Sequence, residues 1–261
     1  MVKQIVSVLF TKKQIRIKQI KIMEVWEIRL NKYIAESGLC SRRDADRLIE
    51  SGKVTVNGET AEPGRKVYEG DSVKVCNKLI SPKKEKVVLA YYKPRGVTST
   101  QRDEHALITL GEALKYKERV TYAGRLDKES EGLLLMTNDG DLIEAMMRGS
   151  NGHEKEYIVK TDKPVSENFI EKMSEGVYLK ELKKYAKPER VSKTGKNTFQ
   201  IVLTQGLNRE IRRMCETFGY RVLMLKRVRV LSVKLEGLKP GEYRVLKKEE
   251  VEKLWKECRN L

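Results

Sequence analysis

The sequence predicts an α+β protein in two parts, a small module over residues 28–80 and a larger domain over residues 87–261. Three observations support this. Helical and strand-like segments mix along the 261 residues without the strict alternation of a doubly wound sheet. Residues 28–77 form a self-contained run of two short helices and alternating strands. Between the parts, Ser81-Pro82-Lys83-Lys84-Glu85-Lys86 is a charged linker over 81–86.

Residues 1–27 read as a basic leader. Its first 22 residues, MVKQIVSVLFTKKQIRIKQIKI, lack both a proper hydrophobic core and a small-residue cleavage site, which argues against a signal peptide. The expectation is a poorly ordered leader, or a true start at Met23. In the module, Leu30, Tyr33 and Ile34 have helical spacing and Gly38 stops that helix. Ser41 and Asp44 read as a capping box for a second helix, with Ala45, Leu48 and Ile49 on one face and Gly52 at its end. Lys53–Val56 alternates as a strand, Asn57-Gly58 supplies a hairpin turn, and Asp71–Val75 is a closing strand. This layout gathers Arg42, Arg43 and Arg47 near the start of the second helix, where backbone N–H groups already favour phosphate. A solvated charged face is the competing reading. On a module too small for an enzyme, binding of RNA or DNA is the better one.

In the larger domain, Val87–Tyr92 reads as a strand ended by Lys93-Pro94-Arg95-Gly96, 106–116 as a helix and Val120–Ala123 as a strand. Leu133–Thr137 is another strand, followed by an Asn138-Asp139-Gly140 turn and a helix from Leu142 capped by Asp141. Two carboxylates as close as Asp139 and Asp141 suggest a metal or an acid–base pair, but turn and cap chemistry explains them more cheaply. Tyr157–Thr161 and Thr198–Leu203 read as strands, and Ile211, Met214, Cys215 and Phe218 as a helical face with Gly219 past its end. Arg221–Val230 and Glu242–Leu246 are strand candidates, and Glu249–Cys258 a last helix.

Composition narrows the function. Lys and Arg total 54 against 37 for Asp and Glu, a net charge of +17 that favours a polyanionic partner, nucleic acid first. Cys40, Cys76, Cys215 and Cys258 form no C-x-x-C pair, and scattered thiols suit a reducing cytoplasm. No apolar run reaches a membrane span. His105 and His153 lie far apart, so a histidine metal site is not expected. The sharpest candidate for chemistry is Asp127, in GRLDKESEGLLLMTNDG (124–140). Gly124 and Gly132 bracket its loop, and apolar strands on either side would hold it rigidly. A plain turn aspartate is the rival, and the residues alone leave the two even.

Family resemblance weighs in here. RLNKYIAESGLCSRRDADRLIESGKVTVNG resembles the small S-four RNA-binding domain first known from a ribosomal protein. GRLDKESEGLLLMTNDG resembles the active-site motif of the RsuA-like pseudouridine synthases. KPRG at 93–96, HEKEY at 153–157 and QGLNREIRRM at 205–214 fall where that family has its other motifs. The match spans Arg29 to about Leu246 and is nearest the RluF and RluB branch, which acts on large-subunit ribosomal RNA.

The resemblance implies a catalytic domain with a mixed, mainly antiparallel sheet and flanking helices, isomerising uridine without metal or organic cofactor. It implies that Asp127 is the essential carboxylate, as nucleophile or as base, that Arg212 pairs with it, and that Tyr157 is the active-site tyrosine. Arg125 would help open the RNA helix, and Leu225 would pack against the base from the other side. Lys93 and Arg95 would bind phosphates of the substrate, and Arg29, Ser41, Arg42, Arg43 and Arg47 would form the RNA-binding face of the module. Glu210 departs from the glutamine expected there and would add a negative charge beside the arginines of the site. The expected partner of this monomer is ribosomal RNA, with transfer RNA as the alternative. A non-catalytic RNA-binding assembly factor is the rival class, which has no need for Asp127, Tyr157 and Arg212 together.

Overall fold

The computed structural model describes residues 27–83, 85–100, 108–148 and 152–259. The leader up to Trp26 lies outside them, so the expectations about its order and start fall there too. The N-terminal module contains β1 (Glu27–Arg29), α1 (Leu30–Glu36), α2 (Arg42–Glu50), β2 (Val54–Val56), β3 (Glu59–Thr60), β4 (Lys66–Tyr68), β5 (Val73–Val75) and β6 (Lys78–Ile80). β1 pairs with β4, and the other strands form an antiparallel sheet in the order β3-β2-β5-β6. The alternation of β2 and β5 sends Val54, Val56, Val73 and Val75 inward against Leu30, Ile34, Ala45 and Ile49. Ser41 caps α2, its hydroxyl oxygen accepting from the Asp44 N–H at 3.1 Å.

The larger domain adds β7 (Val88–Lys93), α3 (Leu110–Ala113), β8 (Thr121–Tyr122), β9 (Glu131–Thr137), α4 (Gly140–Met147), β10 (Lys155–Thr161), α5 (Glu167–Glu175), β11 (Val177–Leu179), β12 (Lys184–Ala186), β13 (Arg190–Gly195), β14 (Thr198–Leu203), α6 (Glu210–Thr217), β15 (Val222–Val230), β16 (Val233–Lys234), β17 (Tyr243–Val245) and α7 (Lys248–Arg259). Its nine-stranded sheet runs β13-β14-β10-β15-β9-β7-β17, with β16 beside β15 and β8 beside β9. Within this sheet β15 and β9 pair in parallel, and the other neighbours pair antiparallel. That parallel pairing is a seam between two halves with separate cores. Val159, Phe169, Phe199, Ile201 and Met214 fill one half. In the other, period-2 alternation splits the β9 run: Leu133 and Leu135 pack with Leu142 and Leu254, while Leu134 and Met136 pack with Leu89, Tyr91 and Leu110. Both faces of β9 are covered, which is why four apolar residues follow one another there.

Several expectations need correction. The helix expected over 106–116 is one turn, α3, opened by a Thr109/Glu112 capping box and ended by an extended Leu114; residues 106 and 107 lie outside the described residues. The cap of α4 is Asp139, whose carboxylate accepts from the Asp141 N–H at 3.2 Å; the Asp141 side chain instead takes Lys32 of α1. Within the expected linker, which these contacts do not contradict, the Lys83 N–H donates to the Glu36 carbonyl at 3.0 Å and its ammonium pairs with Glu118 at 3.1 Å. Among the described residues no helix is long and apolar enough to cross a membrane.

Candidate active site

The loop that carries Asp127 links β8 to β9 and is held from three directions. From the segment after β7, the Ser99 hydroxyl donates to the Leu126 carbonyl and accepts from the Leu126 N–H at 3.2 Å. The Gly96 N–H donates to the Lys128 carbonyl at 2.8 Å. From β15, Arg227 donates to the Arg125 carbonyl at 3.3 Å and to the Leu133 carbonyl at 2.7 Å. From α6, one terminal nitrogen of Arg212 donates to the Glu129 carbonyl at 3.2 Å and the Ser130 hydroxyl at 3.5 Å, the other to the Val222 carbonyl at 3.2 Å. Inside the loop, the Ser130 N–H closes a turn on the Asp127 carbonyl at 3.0 Å.

Gly132 fixes where this loop meets the seam. Its φ is +107°, and a Cβ there would stand 2.2 Å from the Arg227 carbonyl oxygen and 2.7 Å from the Arg227 nitrogen. Only glycine lets β9 approach β15 this closely with that backbone. Above the seam lies a cleft of about 550 Å³, within the usual range for small-molecule sites. Arg125, Leu126, Asp127 and Lys128 of the loop line it, together with Lys155 and Tyr157 of β10, Leu225 and Arg227 of β15, and Arg209 and Glu210 at the start of α6. Asp127 is half-buried, and among the described residues no ion pair or hydrogen bond engages its carboxylate. Tyr157 is opposite Arg227 in the β10–β15 ladder, beside a register shift between Glu156 and Tyr157. Such an irregularity re-aims a side chain.

Cations dominate the cleft floor. Arg227 is buried at 3% exposure, and among the described residues its side-chain hydrogen bonds go to carbonyls. Burial, with the charge of Arg227, lowers the Lys155 ammonium to about 8 against the pull of Glu210; its Nζ donates to the carbonyls of His153 at 2.8 Å and Thr204 at 3.2 Å. Burial also raises the Glu210 carboxyl, offset by a hydrogen bond from the Leu207 N–H at 3.0 Å and by Lys155.

Three sequence expectations change here. Lys93 reaches no phosphate: it is fully buried, and its Nζ donates to the Pro94 and Val97 carbonyls, each at 2.9 Å. Burial and Arg227 lower it to about 8, with Asp127 and Glu131 opposing. Arg212 makes no direct pair with Asp127 among the described residues; its nearest carboxylate is Glu129 at 3.9 Å, and burial lowers its guanidinium against the opposing charges of Glu129 and Asp127. Glu210 faces Lys155 instead of the arginines. Arg125 is exposed on the cleft wall, Leu225 is at once cleft wall and core, and Arg95 is exposed beside Leu223. In the module Arg29, Arg42, Arg43 and Arg47 are exposed, Arg47 paired with Asp44 at 3.3 Å, while Ser41 is used as the cap of α2. Arg227 and Lys155 were missed as site residues. Nothing in VLMLKRVRV separates Arg227 from Arg229, which pairs with Glu154 and Glu156. Lys155 stands inside the HEKEY motif, which was its signal.

Comparison with known proteins defines the class. Residues 87–217 match the RNA pseudouridylate synthase family and residues 28–73 match the S4 domain. The chain belongs to the RNA pseudouridylate synthase family, and the enzyme is an isomerase. Among its relatives, the dual-specificity RNA pseudouridine synthase RluF of Escherichia coli K12 is 47% identical over 235 residues, 89% of this chain and 80% of that protein. The ribosomal large subunit pseudouridine synthase B of Bacillus subtilis is 37% identical, over 87% of this chain and 95% of that one. A pseudouridylate synthase of known crystal structure superposes with a TM-score of 0.64 at 29% identity, over 87% of this chain and 99% of that one. The fold and family expected from the four motifs are thereby borne out.

Proposed function

We propose that the enzyme converts a specific uridine of large-subunit ribosomal RNA to pseudouridine, with Asp127 as its essential group. The observation that carries this reading is the open Asp127 carboxylate on a loop braced from three sides, lining the same cleft as Tyr157. In the reaction the bond from ribose to the ring nitrogen breaks, uracil turns, and a bond to a ring carbon forms. The proton lost from that carbon is balanced by one gained at nitrogen, so no cofactor is consumed. A carboxylate serves either as nucleophile at the ribose carbon or as base, and both roles need it ionised and unobstructed.

The other residues take supporting roles. Tyr157 stacks on the extruded base and Leu225 closes on it from the β15 side. Arg212 is a positioning residue, holding the loop through Glu129 and Ser130. Arg125 holds open the RNA helix at the cleft wall, and Arg95 meets phosphate. Residues 28–80 capture the RNA through Arg29, Arg42, Arg43 and Arg47, residues 81–86 join the parts, and residues 87–261 do the chemistry. Free cysteines suit the cytoplasm as the place of action, and a single chain supplies the whole cleft.

The test is to delete the gene and map pseudouridine in ribosomal and transfer RNA, a set chosen because one relative is named a dual-specificity enzyme and another a large-subunit enzyme. Loss of a large-subunit site, restored by the purified enzyme on the unmodified transcript, is the expected result. Intact large-subunit sites overturn the assignment.

A further inference from the structure

The hairpin of β11 and β12 lies outside the cleft and outside every motif used above. Its inward residues Val177, Leu179 and Ala186 belong to the core around Phe169 and Met214. On its outer face Tyr178 and Tyr185 stand directly opposite each other in the ladder. They are 54% and 53% exposed, and among the described residues they are the one exposed pair of large apolar side chains matched across two strands. Tyr185 is fixed: its hydroxyl donates to the Glu175 carbonyl at 2.8 Å, and its ring lies so close over Gly176 that a Cβ there would stand 2.6 Å from it. One part of the ring is seated on the chain, and the rest is open to solvent.

Charge surrounds these rings. Lys180, Lys183, Lys184 and Lys187 are all exposed in the same segment. Of its acids, Glu181 is paired with Arg213 and Glu189 accepts from the Thr204 hydroxyl at 3.1 Å. Arg213 also ties the hairpin to α6, whose first residues, Glu210 and Ile211, line the cleft. Eight residues of helix span about 12 Å. Rigid aromatic faces set among lysines are the physical recipe for holding unstacked bases, because every base has a π-face and its phosphates are anionic.

We propose that this hairpin is a second RNA-contact surface of the catalytic domain, stacking an unpaired base of the substrate on Tyr185 and Tyr178 while the lysines meet its phosphates. It rests on the reading that a structured RNA delivers its uridine to the cleft. The experiment measures binding of the full-length protein to a large-subunit ribosomal RNA transcript and to a single-stranded oligouridine, with pseudouridine formation scored on the transcript. Tyr178→Ala, and Tyr178→Ala with Tyr185→Ala, raise Kd by about tenfold or more at unchanged kcat under saturating RNA. Tyr185→Phe keeps the ring and keeps the affinity. Lys183→Gln, Lys184→Gln and Lys187→Gln combined flatten the dependence of log K on log salt by about 2. Kd within twofold of wild type for the Tyr178 variant on both RNAs, with an unchanged salt slope for the lysine variant, overturns the proposal. If the wild type modifies no uridine of the transcript while oligouridine binding still depends on the tyrosines, the hairpin stands and the substrate assignment fails.

Discussion

Gly132→Ala tests the joint on which the site is built. The added methyl must enter a space where the Arg227 carbonyl oxygen is 2.2 Å away and the Arg227 nitrogen 2.7 Å away, both backbone of a central strand. Neither swings aside as a long side chain would, so β9 and β15 must separate. Overpacking of this kind costs about 1–3 kcal/mol. A φ of +107° adds strain of about 1–3 kcal/mol for any residue with a Cβ. Together these take roughly 2–6 kcal/mol from a domain whose stability is of order 5–15 kcal/mol. Gly237→Ala is the control: its φ is +77° and nothing lies within 4 Å of its Cβ position, so it reports backbone strain alone. Urea unfolding of the three proteins separates the two terms, and turnover at saturating RNA reports on the loop. The expectation is a loss for Gly132→Ala about 1–3 kcal/mol beyond the control, with a large fall in kcat. A loss equal to the control, with normal kcat, refutes the tight seam.

Other perturbations bear on the buried charges. Lys93 titrates near 8 in the folded protein against 10.5 in the unfolded chain, so the unfolded state holds the extra proton between those values and stability rises with pH across that window. Lys93→Met removes this gain, up to about 3 kcal/mol, and urea unfolding from pH 7 to 10.5 that shows equal slopes for both proteins contradicts the burial. Glu210 has a raised carboxyl pKa, so its favourable contribution is complete below the unfolded value and is lost as pH rises through the folded one. Glu210→Gln is therefore more stable than wild type at pH 7 and loses this advantage below pH about 4, where the carboxyl is protonated; an advantage that ignores pH counts against it. Arg212→Lys cannot reproduce a fork onto Val222, Glu129 and Ser130, and costs about 1–3 kcal/mol in unfolding together with a fall in kcat at unchanged KM. Wild-type kcat in that variant removes its positioning role.

Much of this protein is legible in its sequence where a local rule acts alone. Gly124 and Gly132 around Asp127 announce a tight loop, Ser41 announces the α2 cap, and V-T-V-N-G announces the β2–β3 hairpin. The sequence carries the same kind of local signal for α5: Ser166 as cap, Phe169 and Met173 on one face, Gly176 at the end. Tertiary context hides the rest. Lys93 before Pro94 reads as a loop cation, yet β9 and the loop after β7 close over it, and only the paired carbonyls of Pro94 and Val97 make that tolerable. Asp139 and Asp141 are equally plausible caps by spacing. Asp139 serves because α4 starts at Gly140, which leaves Asp141 in the first turn, where its carboxylate pairs with Lys32 of α1. Arg227 becomes a site residue because β15 lies parallel to β9, a pairing that no short-range pattern encodes.

Asp127→Asn is the most direct measurement, because the amide keeps the size of the side chain and removes its charge and basicity. The open carboxylate has no partner among the described residues, so the substitution breaks no contact and leaves the fold intact. The account predicts no pseudouridine above background in the large-subunit transcript, with RNA affinity and urea midpoint near wild type. Turnover by Asp127→Asn within tenfold of wild type would contradict it.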